Sequence, residues 1–165
     1  MNPPAVTNAR SAPSTTSPLF GTKESPGREI YLLLQHVAGA FEQELSLVLR
    51  PAGITPAQYH VLRVLHSAGP GGLACSAVAE RSVSGDPDVT RLLDRLEKQG
   101  WVSRAREATD RRVVMTRITN EGLRLLGKLE QPVAALHARQ LEGLSERQMA
   151  AARKLLLALE GPRLG

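Results

Sequence analysis

Between residues 87 and 118 the spacing of apolar side chains changes from helical to extended, and no other feature restricts the fold as much. Val89, Leu92, Leu93 and Leu96 recur every three or four residues, which predicts a helix over about 87–99, apolar on one side and charged on the other. Gly100 closes it. From Trp101 to Arg106 and again from Val113 to Ile118 the period falls towards two, so these segments read as strands joined by Glu107-Ala108-Thr109-Asp110-Arg111. A lone hairpin is only marginally stable in water. It must therefore lie on the preceding helices, with Trp101, Val102 and Val114 as candidate anchors.

The segments before this unit are helical. Ile30, Leu33, Leu34, Val37, Phe41, Leu45 and Val48 keep helical spacing until Pro51 and Gly53 stop it. Thr55, Pro56 and Gln58 then form a capping box, with proline at the first helical position, ahead of Tyr59, Val61, Leu62 and Leu65. A glycine-rich loop over 67–72 leads to a brief helix at about 76–82, and Ser84-Gly85-Asp86-Pro87 separates that helix from the next. Two helices joined by a tight polar turn, the second amphipathic, match helix-turn-helix geometry, and the hairpin adds a wing.

After the hairpin, Thr119 caps a long helix running to about 138, with Pro132 inside it. Ser145 and Gln148 open a last helix carrying Met149, Ala152, Leu155, Leu156 and Leu159. The first and last helices hold more apolar surface than the central unit requires. Pairing with a second copy satisfies it, and two-fold DNA half-sites call for a two-fold protein. The fold class is thus mainly α with a small β-hairpin wing, a winged helix-turn-helix that is dimeric through its terminal helices. Residues 1–27, with five prolines, read as a flexible arm. Residues 28–160 form the domain proper, of which 54–118 is the DNA-binding part and 28–50 with 119–160 the dimerisation helices.

Charge narrows the function. A formal net charge of +5 favours an anionic partner, and residues 81–117 alone hold nine basic residues against six acidic ones. Cys75 is the only cysteine, which excludes an intrachain disulfide framework and a cysteine-based metal cluster. Its redox use and a plain small-residue role both stay open. No apolar run is long enough to span a bilayer and the proline-rich start lacks the apolar core of a secretory signal, so a cytoplasmic protein without membrane attachment is expected. With no phosphate-cradling glycine loop, zinc helix or nucleophile elbow, the chain is not expected to be an enzyme or to need a cofactor.

Over residues 84–122 the sequence resembles the MarR family of bacterial transcription regulators. The matching residues are Pro87-Asp88-Val89-Thr90-Arg91-Leu92-Leu93-Asp94-Arg95-Leu96-Glu97, Gly100-Trp101-Val102 with Arg104, Asp110-Arg111-Arg112, and Ile118-Thr119 followed by Gly122. Upstream, Ile54-Thr55-Pro56-Ala57-Gln58-Tyr59 with Val61-Leu62 looks like the family's second-helix signature. The resemblance implies an obligate homodimer whose terminal helices interlock while each winged helix meets half of a pseudo-palindromic operator. It also implies repression that a small aromatic or phenolic effector relieves. Asp86 and Asp88 depart from a plainly DNA-facing helix start: they can cap the helix and favour its positive dipole end, but directed outward they would repel phosphate.

Candidate DNA-binding residues follow. Thr90, Arg91 and Arg95 are placed to read bases or backbone, although the two arginines could instead pair with Asp94 or Glu97. Arg104 and Arg106 share a strand face, and at least one is expected to reach phosphate. Ser76 is either an ordinary helix cap or a phosphate contact. Arg111 at the hairpin tip suits the minor groove, while the resemblance gives Asp110 and Arg112 the role of shaping the wing. For a ligand, His36, Tyr59 and His60 could gather between the first two helices, and no metal site is expected. The rival reading is a winged-helix protein-interaction module without sequence-specific DNA binding.

Overall fold

The computed structural model describes residues 25–81, 89–107 and 112–161. Helix α1 spans Pro26–Leu49, starting two residues before the expected domain boundary, with proline in its first turn where a missing amide costs nothing. The chain divides at Gly39 into two compact units. In the first, Ile30, Tyr31, Leu34 and Val37 are exposed. The second unit, from Ala40, carries everything that follows.

A 3₁₀ turn over Arg50–Ala52 ends the first helix, as Pro51 and Gly53 lead one to expect. Helix α2 (Pro56–Ser67) opens with both halves of the capping box in place: Thr55 Oγ1 accepts from the Gln58 amide, and Gln58 Oε1 accepts from the Thr55 amide at 3.0 Å. Strand β1 (Leu73–Ala74) leads into α3 (Cys75–Arg81), followed by α4 (Val89–Lys98), β2 (Val102–Arg106), β3 (Val114–Ile118), α5 (Asn120–Leu141) and α6 (Glu146–Glu160). The sequence-predicted hairpin is therefore the larger part of a three-stranded antiparallel sheet ordered β1-β3-β2. Val102 pairs with Ile118 and Arg106 with Val114, while Leu73 pairs with Thr116.

Helix α4 turns into the wing through a Schellman motif. Gly100, at φ 73°, donates its amide to the Glu97 carbonyl, and the Trp101 amide reaches the Leu96 carbonyl. Left-handed backbone at this position favours glycine. The turn folds β2 back beside α4, and Val102 drops into the core at 2% exposure. One apolar cluster unites Leu45 and Leu49 of α1 with Val61, Leu62 and Leu65 of α2, Val78 of α3, Leu92, Leu93 and Leu96 of α4, and Leu126, Leu129, Val133 and Leu136 of α5. Helix α5 runs through Pro132 without a break in its assignment.

Helix α6 differs from the others because none of its residues is buried, although its capping box at Ser145 and Gln148 is complete. Leu155 and Leu159 are each 66% exposed, and Leu156 and Leu157 are exposed beside them. Among the described residues no helix is long and apolar enough to cross a membrane.

Candidate nucleic-acid interface

The apolar stripe of α4 fixes which of its polar residues face where. With Val89, Leu92, Leu93 and Leu96 buried, a rotation of about 100° per residue puts Thr90, Asp94 and Glu97 on the flank towards the wing and Arg91, Arg95 and Lys98 on the outer side. The sequence-predicted reading trio is thereby split. Arg91 and Arg95 are exposed one turn apart on the outer stripe, whereas Thr90, also exposed, belongs to the wing side.

On that side four of the expected DNA-binding residues meet, although they come from separate stretches of chain. A cavity of about 380 Å³ is lined by Ser76 of α3, Thr90 of α4, Arg104 of β2 and Arg112 beside β3, together with Cys75 and Val114. Two hydroxyls and the Arg112 guanidinium line one concavity with Arg104, whose own guanidinium is engaged by Glu97 and Asp94. Helix α3 starts at Cys75, so Ser76 sits inside its first turn rather than ahead of it. Cys75 Sγ lies 3.3 Å from Oγ1 of Thr116, a fully buried residue of β3.

The two arginines of β2 have different surroundings. Arg106 is exposed. Arg104 is half-buried and held by carboxylates of α4, with Nε 2.9 Å from Glu97 Oε2 and Nη2 2.5 Å from Asp94 Oδ1. The hydrogen bond from Arg104, and then its charge, hold the Glu97 carboxyl below the usual glutamate range. The same partners raise the Arg104 guanidinium further above its already high value. Asp110 and Arg111 lie outside the described residues, as do Asp86 and Asp88.

Of the ligand candidates, Tyr59 and His60 are adjacent on α2, their rings in an edge contact with centroids 5.8 Å apart. They line a cavity of about 390 Å³ with Arg63, Glu130, Val133, Ala134 and His137. Burial raises the Tyr59 phenol, with Arg63 opposing and Glu130 reinforcing the shift. His36 is exposed in the first unit. Sequence reasoning missed Arg63, Glu130 and His137. The first was accessible, being four residues from Tyr59 and so on the same helix face. The other two lie on α5, and no local pattern links them to α2. Among the described residues no group of three or more His, Cys, Asp or Glu side chains could hold a metal ion.

Comparison with known proteins agrees with this geometry. A family model described as the MarR family matches residues 54–114. The transcriptional repressor MdtR of Bacillus subtilis is 33% identical over 121 residues, covering 73% of this chain and 77% of that protein. A mutant of MarR from E. coli, crystallised in complex with operator DNA, superposes with a TM-score of 0.73 at 28% identity, covering 82% of this chain and 99% of that one. CouR from Rhodococcus jostii, in a structure bound to p-coumaroyl-CoA, gives a TM-score of 0.69 at 28% identity, covering 87% of this chain and 99% of that one.

Proposed function

The chain belongs to the MarR family of winged helix-turn-helix DNA-binding regulators, which are homodimeric and not enzymes, and from that premise we propose that it binds a pseudo-palindromic operator and represses the adjoining genes. The exposed cationic side chains of Arg91, Arg95 and Lys98 on the outer stripe of α4, with exposed Arg106 on the wing, carry this reading, because recognition helix and wing both present donors for phosphate and base edges. Arg91 and Arg95 read base edges from the outer stripe of α4, and Arg106 binds backbone. Arg111 enters the minor groove, and Asp110 with Arg112 holds the wing in shape. The relative named a repressor and the neighbour crystallised with operator DNA support the assignment.

Dimer formation uses the exposed leucines of α6, each of which contributes about 1–2 kcal/mol when the half to two-thirds of it that is open to water is buried. A small aromatic or phenolic effector occupies the Tyr59–His60 cavity and releases the DNA. The structure of CouR with p-coumaroyl-CoA supports an aromatic ligand class. The protein acts in the cytoplasm, on double-stranded operator DNA.

Selection from a random-sequence duplex pool tests the proposal. The full-length protein is expected to enrich an inverted repeat, and a scrambled version of that duplex is expected to compete poorly. Failure to enrich any sequence would refute it in favour of a protein-interaction module.

A further inference from the structure

The Arg104 side chain ties the wing to the recognition helix. The Arg104 amide donates to Glu97 Oε1 at 3.1 Å, while Nε and Nη2 reach Oε2 at 2.9 and 2.7 Å. Nη2 also donates to Asp94 Oδ1, one helical turn back along α4. One carboxylate therefore receives three bonds from one residue, from main chain and guanidinium together. Val102, two residues earlier, anchors the start of β2 through apolar contact. The guanidinium fork adds a directional constraint, because its Nε and Nη2 converge on Glu97 Oε2 while Nη2 also reaches Asp94 Oδ1.

Two observations argue against the other roles this cluster could have. The side chains of Glu97 and Asp94 are 39% and 48% exposed, and ion pairs this open to water add little to stability. Glu97 and Asp94 also place negative charge beside the cavity, enough to offset the Arg104 and Arg112 guanidiniums that line it. A cluster meant only to attract phosphate would lack that charge.

We propose that Arg104 is a positioning residue, which fixes the angle between the wing and α4 through Glu97 and Asp94 so that both elements meet the duplex in one register. The inference rests on the DNA-binding reading above. It gives Glu97 and Asp94 a part in operator affinity that acts through Arg104. The constraint is directional, so it raises affinity for the matched site more than general affinity for duplex.

The test turns on a sign. Glu97→Gln removes a negative charge near the DNA, so electrostatics alone would tighten binding to every duplex. Positioning predicts the reverse for the matched site: a loss of about tenfold, the low end of what removing an orienting partner costs elsewhere. The probe is the duplex enriched from the random pool, with its scrambled counterpart as control. Affinity for the scrambled duplex should stay level or rise. Arg104→Lys keeps the charge but not the fork, and should fall as far as Arg104→Gln, whereas a phosphate contact would be rescued by lysine. Equal or tighter matched-site binding by Glu97→Gln, with helicity and dimer mass intact, overturns the inference and leaves the DNA-binding reading standing. A wild-type protein that enriches no duplex overturns both.

Discussion

Two glycines of α5 should respond to the same substitution with opposite signs. Gly122 is buried where the wing returns to the helix: Thr119 Oγ1 accepts from its amide at 3.1 Å and donates to the Gly100 carbonyl at 2.6 Å, and the Thr119 amide reaches the Trp101 carbonyl at 3.0 Å. A Cβ added at Gly122 would lie far inside contact distance of the Trp101 carbonyl oxygen and 2.8 Å from Ile118 Cγ1. The oxygen is backbone and already serves the Thr119 amide, so it cannot rotate away. Overpacking of this kind costs about 1–3 kcal/mol, and backbone obstruction points to the upper end. Alanine recovers about 1 kcal/mol of helix propensity. Gly122→Ala should therefore lose about 2 kcal/mol, or roughly 4–8 °C in Tm for a chain of this size. Gly127 is exposed, and a Cβ there meets nothing within 4 Å. Gly127→Ala should gain about 0.5–1 kcal/mol. Thermal melts followed by circular dichroism at one fixed protein concentration compare the two, since the apparent stability of a dimer depends on concentration. A Tm that rises in both variants would refute the packing of α5 against the wing.

Thr55→Ala should cost about 1 kcal/mol in denaturant titrations, because it removes the acceptor for the Gln58 amide at a half-buried helix start; an unchanged midpoint would contradict the cap. Because folding lowers the Glu97 carboxyl, its contribution is complete above the ordinary glutamate range and is lost as pH falls through the lowered value. An acid titration of wild type should therefore show a small loss of stability that Glu97→Gln lacks, and superimposable curves would refute it. Arg106→Ala should weaken binding to matched and scrambled duplexes alike and reduce the salt slope by about 1, as expected for one phosphate contact. An unchanged slope would remove Arg106 from the interface.

Local chemistry made much of this legible in advance. Both capping boxes, the Thr119 cap, the Gly100 stop and the change of period at the wing are written in neighbouring residues and appear in the structure as expected. Strand β1 was not readable, since Leu73 and Ala74 are too few to show an alternation and pair only across the fold with β3. The site divides in the same way. The basic residues of α4 and the wing could be named from the pattern, yet the division of labour on α4 required its buried stripe. Likewise the strand face shared by Arg104 and Arg106 leads one to expect that at least one of them reaches phosphate, without distinguishing the two. The Gly100 turn brings Arg104 against Glu97, a pairing set by the path of the chain rather than by spacing.

The central claim is that recognition helix and wing together read duplex DNA. Titrating the full-length protein with the selected duplex and its scrambled counterpart across a series of salt concentrations tests it most directly. Both affinities should fall as salt rises, through counterion release, while the matched site keeps an advantage of roughly 10³-fold or more. Equal affinity for the two duplexes at every salt concentration would contradict the account.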